Sequence, residues 1–193
     1  DLQQLKAYAA LDKSFDNESK KAKFLNYITT LEKQVAIFTP TKFELAVARA
    51  VALSDNGHSN VSPIGRSRRV NHLPIRFVRF EKGMYVVQAL KEYKYLLGAR
   101  VDSIASLPTD KMIDDFAPFY GGVENRSRFF AELDIHSPAL IHALGYSESS
   151  SQLKLSFTLM DDSISSEVFD ALPSNDIPQP YGRTLYHYLL TEE

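Results

Sequence analysis

Ser54-Asp55-Asn56-Gly57-His58-Ser59 separates two textures in the chain and decides how the rest is read. Upstream, apolar residues recur at the three-and-four spacing of amphipathic helices; after Pro63 they alternate as in half-buried strands. Gly57 is expected to stop the preceding helix, because glycine takes positive φ without steric cost. His58 is then presented just past a helix end, on a constrained polar loop.

Working back from that loop, Thr41-Lys42-Phe43-Glu44 reads as a capping box. It opens a helix from Phe43 to about Leu53 that buries Phe43, Val47, Ala50 and Val51. Before it, Phe24, Tyr27, Ile28, Leu31 and Val35 form one apolar stripe, with Asp16-Asn17-Glu18-Ser19 supplying capping residues. Leu2, Leu5 and Ala9 predict a short helix within residues 2–13.

Working forward, Leu73 to Phe80 alternates apolar and basic residues and predicts a strand. Glu81-Lys82-Gly83 reads as a hairpin turn and Met84 to Ala89 as the returning strand. A short helix around Tyr93, Leu96 and Leu97 closes at Gly98, and Ala99–Ile104 predicts a third strand followed by a turn at Ser106-Leu107-Pro108. Thr109 is placed to cap a helix bearing Met112, Ile113 and Phe116. After Gly121-Gly122, a helix over 124–134 is expected to bury Phe129, Phe130 and Leu133. Ser137-Pro138 is a cap with proline at the first helical position, and that helix stops at Gly145. Leu153, Leu155, Phe157 and Leu159 alternate most clearly of all, and Asp161-Asp162-Ser163 turns the chain into a strand near Glu167–Leu172. Beyond it lies a proline-rich linker leading to the apolar arm Thr184–Leu190.

The chain has 193 residues, room for one ordinary domain or two small ones, with 44% hydrophobic and 24% charged residues as in globular proteins. A net charge of −2 argues against a nucleic-acid partner. Arg66, Arg68 and Arg69 read as a solvated basic face. With no cysteine, disulfides, thiolate nucleophiles and cysteine metal sites are excluded. No apolar run reaches the roughly 18 residues of a membrane span. His72, His136, His142 and His187 are scattered without metal-ligand spacing, so neither a metal site nor a cofactor is expected.

The ordered series Asp55-Asn56-Gly57-His58-Ser59, Leu73-Pro74-Ile75-Arg76, Gly83-Met84-Tyr85-Val86-Val87 and Leu97-Gly98-Ala99-Arg100-Val101, with Ile104 and Pro108 behind it, resembles the amino-terminal part of S41-family serine peptidases, the tail-specific and tricorn-core-like group. The likeness spans roughly residues 40–160. Ala105-Ser106 departs from the Asn-Gly usual at the corresponding turn. The resemblance implies an α+β fold: a helical segment over 1–60, a small PDZ-like β-rich domain with inserted helices over 61–172, and a linker with a terminal arm over 173–193. It implies that His58 serves as general base, as in the tricorn-like branch; in other branches this histidine is structural. It further implies peptide capture by strand addition, with Gly83, Met84, Tyr85 and Val86 as the candidate sheet edge. No serine stands in the expected strand–glycine–helix setting, so the nucleophile is expected in a carboxy-terminal domain missing from this chain. The expected function is therefore the non-nucleophilic front portion of a serine peptidase, acting on peptide or protein substrate in an extracytoplasmic (periplasmic or secreted) location. The alternative is a stand-alone PDZ-like peptide-binding or scaffolding module without activity.

Overall fold

The computed structural model describes residues 2–15 and 17–174. It shows an α+β protein, as expected, that divides into two compact units. One comprises Asp1–Arg66 with Asp114–Asp134; the other comprises Ser67–Ile113 and the chain from Ile135 onward. The proline-rich linker, the arm Thr184–Leu190 and His187 lie outside the described residues.

The first unit is helical. Its helices are α1 (Leu2–Ala9), α2 (Glu18–Gln34), α3 (Pro40–Ala52), α4 (Pro63–Ser67, whose last residue begins the second unit) and α6 (Glu124–Asp134); between α4 and α6 runs α5 (Thr109–Phe116), along which the chain re-enters this unit. Asn17 caps α2, its side chain accepting from Ser19 N and Lys20 N, and Phe24, Ile28 and Leu31 face inward as the stripe predicts. They pack with Leu2, Ala9, Phe15, Ala46 and Ala50 in one apolar core. The start of α3 differs from expectation. Thr39 is the cap, accepting from Lys42 N at 3.2 Å, and Pro40 occupies the first turn. Proline's fixed φ and missing N–H suit that position and draw the helix start back from Thr41. Alanines 46, 48, 50 and 52 and Leu45 form the buried side of α3.

The inward face of α6 also differs: Ser127, Ala131 and Asp134 are buried, while Phe129 is 57% exposed. The reason is electrostatic. Asp134 is fully buried and holds the equally buried Arg66 through two bonds, Nε to Oδ1 at 3.2 Å and Nη2 to Oδ2 at 3.1 Å. The Tyr120 hydroxyl donates to the same carboxylate at 2.5 Å and is itself contacted by Arg66 Nη2. Arg66 is therefore not part of a solvated face. Burial works against its charge, but Asp134 and Tyr120 outweigh burial and raise its pKa. Burial, reinforced by the Asp134 charge, pushes the Tyr120 hydroxyl up as well. This cluster ties segment 114–134 to the first 66 residues of the chain.

The second unit is built on a sheet, six-stranded and antiparallel among the described residues, in the order β1 (Ile75–Phe80), β2 (Gly83–Ala89), β3 (Arg100–Ile104), β5 (Gln152–Thr158), β6 (Ile164–Asp170), with β4 (Leu107–Pro108) paired to β3. One face carries Ile75, Phe77, Val101, Ile104, Leu153, Leu155, Phe157 and Phe169, all buried. The other is polar where β3 meets β5: Arg100 donates to Asp102 and to Thr158, and Thr158 Oγ1 donates back to Asp102 at 2.6 Å. The hairpin between β3 and β4 turns on Ala105 and Ser106, both at positive φ (49° and 69°), where the resemblance places it and one residue ahead of the turn read at Ser106-Leu107-Pro108. Thr109 does not cap α5; its hydroxyl donates to Val101 O at 2.8 Å. α7 (Pro138–Ala143) is capped by Ser137 as predicted, with Gly145 at φ 84° closing it.

Candidate functional site

His58 follows α3 on a loop whose backbone is pinned from several sides. The helix ends at Ala52, and Asp55, rather than Gly57, takes the left-handed conformation, with φ 53°. Aspartate tolerates that region better than most residues because its short side chain bonds locally. Here the carboxylate accepts from Gly122 N at 3.3 Å through Oδ1 and from Lys20 Nζ at 3.2 Å through Oδ2. Asn56 is the second anchor. Its Oδ1 accepts from His58 N at 2.9 Å, its Nδ2 donates to Ser14 Oγ at 2.8 Å, and its carbonyl accepts from Ser59 N at 3.0 Å. An asparagine side chain bonding two residues onward is the device that fixes such turns.

Glycines complete the brace. A Cβ on Gly122, which sits at φ 92°, would lie 2.9 Å from Gly57 Cα; one on Gly121 would lie 3.0 Å from Asn56 N. Backbone meets backbone there, which only residues without side chains permit. Gly121 and Gly122 are the residues this close approach requires; a Cβ on Gly57 itself would meet the Arg126 side chain at 3.1 Å, and Gly57 does not terminate the helix. Gly121-Gly122, which reads in the sequence only as a chain break, is the support on which the loop rests.

The His58 ring itself is exposed, and among the described residues it has no hydrogen-bonding partner. It stands on the wall of a pocket of about 340 Å³. The floor is Ala9, Phe15, Phe24 and Ser54, each less than 10% exposed; Leu5, Tyr8, Asp12 and Val51 form the remaining walls, with Ser59 and Asn60 beside the histidine. Every one of these residues belongs to the first unit.

The other candidate site, Gly83, Met84, Tyr85 and Val86, opens β2, and β2 is an interior strand. On one side it pairs with β1 from Phe80↔Gly83 to Ile75↔Ala89; on the other Tyr85 pairs with Arg100 and Val86 N donates to Ala99 O. Strand addition needs free backbone groups; Gly83–Val86 pairs with β1 throughout, and Tyr85 and Val86 also pair or bond on the β3 side. Sequence shows the turn but not which strands arrive on either side of it.

The remaining described histidines bond to backbone. His72 Nε2 donates to Ser67 O at 2.6 Å, and burial lowers its pKa against that bond. His136 Nε2 meets Phe77 N at 3.2 Å and Phe77 O at 3.0 Å, with the two rings stacked at 4.0 Å. His142 Nδ1 donates to Ser147 O at 2.7 Å. Among the described residues no group of three or more His, Asp or Glu could hold a metal ion, and no helix is long and apolar enough to cross a membrane.

The fold is shared with part of CPAF. A crystal structure of a CPAF mutant superposes with a TM-score of 0.58 at 13% identity over 89% of this chain. Mature CPAF complexed with lactacystin does so with a TM-score of 0.55 at 13% identity over 97% of it. The chain spans only 33% and 39%, respectively, of those two proteins. No family model and no curated protein sequence matches it.

Proposed function

We propose that this chain is the non-nucleophilic front portion of a serine peptidase of the tail-specific or tricorn-core-like kind, and that His58 is its general base. One observation carries the reading: an exposed imidazole, its ring without a partner among the described residues, on a loop whose backbone is fixed by Asp55, Asn56 and the two glycines. A base must keep its lone pair free until substrate arrives and must not wander in the meantime. The fold shared with about a third of CPAF supports the same reading.

In this role, the neutral ring accepts the proton of a serine hydroxyl as that oxygen attacks the peptide carbonyl. The imidazolium then returns the proton to the departing amine. The serine belongs to a carboxy-terminal portion outside this sequence, and peptide or protein is the substrate. An extracytoplasmic location accompanies the reading. The alternative, a peptide-binding module capturing its ligand at Gly83–Val86, is less favoured because β2 lies inside the sheet and Tyr85 already pairs with Arg100.

The test is labelling of the full-length gene product with a fluorophosphonate serine probe. His58→Ala is expected to lower the labelling rate by on the order of 10²–10⁴-fold, the usual contribution of a general base. Labelling at the wild-type rate would make His58 structural, and a product that never labels would refute the peptidase.

A further inference from the structure

We propose that the pocket beside His58 is a specificity pocket for an apolar, preferentially aromatic, side chain of the peptide; this deepens the peptidase reading and rests on it for the word peptide. An apolar cavity of about 150 Å³ already accepts benzene. The pocket here, about 340 Å³, has room for a phenyl or indole group together with its Cβ. Phe15 and Phe24 both line it, their rings tilted with centroids 4.8 Å apart, and the small side chain of Ala9 lines it beside them.

Two of the polar side chains in the lining are committed to the protein. Ser54 Oγ donates to Val51 O at 2.8 Å, and Asp12 Oδ1 accepts from Ser14 N at 2.8 Å. Leu5, Val51, Phe15 and Phe24 present hydrocarbon and ring surface to the cavity, with the Tyr8 ring, 69% exposed, also lining it, and Asp12, His58, Ser59 and Asn60 supply its polar side. Exposed apolar surface in a concave site favours an occupant that removes it from water. Since His58, Ser59 and Asn60 make one wall, a side chain seated in the pocket brings its own backbone to the imidazole.

The 193-residue chain, ¹⁵N-labelled, is titrated with N-acetyl-phenylalanine amide, N-acetyl-glycine amide and N-acetyl-lysine amide, and amide shifts are followed by NMR. The phenylalanine compound is expected to give saturable shifts in residues 5–12 and 54–60, at least about 10-fold tighter than glycine, the discrimination an apolar pocket provides. Ser59→Trp, which fills the mouth, should abolish the shifts. Tyr8→Ala, at an exposed rim position where folding is not at stake, should weaken them several-fold. Equal binding of glycine, a preference for lysine drawn by Asp12, or shifts confined to other regions would each overturn the pocket. Because this binding needs no serine, phenylalanine binding by a chain whose full-length product never labels would uphold the pocket and reject the peptidase.

Discussion

The loop at Asp55–Ser59 and the sheet margin at Phe77 each hold a histidine, and they hold it in opposite ways. At the margin, the imidazole of His136 is itself the fastening: it stacks on Phe77 and bonds that residue's backbone. In the loop everything around the imidazole is fastened and the ring is left alone. The difference separates a histidine the fold uses from one the fold presents. Ring nitrogens committed to backbone groups cannot exchange protons with a substrate without breaking structure, whereas a ring held only through its backbone can.

The comparison rests first on the frame that carries the loop. Arg66→Ala should cost about 3–5 kcal/mol in a urea unfolding experiment, because it strands the fully buried Asp134 carboxylate without its cation. A cost near zero would mean that Asp134 is neutral and the pair is not the fastening of segment 114–134. The glycine brace comes next. Gly122→Ala should cost about 2–4 kcal/mol, combining left-handed strain with a collision against Gly57. Gly145→Ala is the control, since it has the same sign of φ but nothing within 4 Å; it should cost only about 1 kcal/mol. Equal costs would remove the brace from the account. At the sheet margin, His136→Ala should cost about 1–3 kcal/mol by the same measurement, for a lost backbone bond and a lost stack.

Much of this architecture could be read in the residues. Local signals sufficed for the Asn17 and Ser137 caps, the stripe of α2 and the alternation of β5, because each depends on neighbours within a turn or a strand. Tertiary partners defeated the reading elsewhere. Arg66 and Asp134 are 68 residues apart, and an arginine in a basic run gives no sign of a buried carboxylate that far away. The same pairing sets the phase of α6 and overrules its aromatics. His58 was legible as a candidate, but its brace was not, since nothing local links Gly122 to Gly57. The turn at Ala105-Ser106 falls between these cases: the departure from Asn-Gly was visible, and the structure shows two residues with side chains held at positive φ. Ala105→Asn with Ser106→Gly should stabilise the chain by about 1 kcal/mol, read as a higher urea midpoint, since those residues adopt that region at less cost.

The smallest expected effect discriminates most. His58→Ala removes an exposed ring with no hydrogen-bonding partner among the described residues, while the loop bonds use the backbone of residue 58 and remain available to alanine. Its stability should stay within about 0.5 kcal/mol of wild type, as for surface substitutions away from caps and pairs. The result is informative only beside His136→Ala, measured in the same urea series. If both substitutions are costly, His58 has a structural partner and the contrast between the two regions collapses. If only His136→Ala is costly, the folded protein gains nothing from the His58 ring. A side chain that does nothing for folding, on a loop fixed by two anchoring side chains and two glycines, is then best explained by what it meets from outside, and a loss of serine labelling by the same His58→Ala protein could not be put down to unfolding.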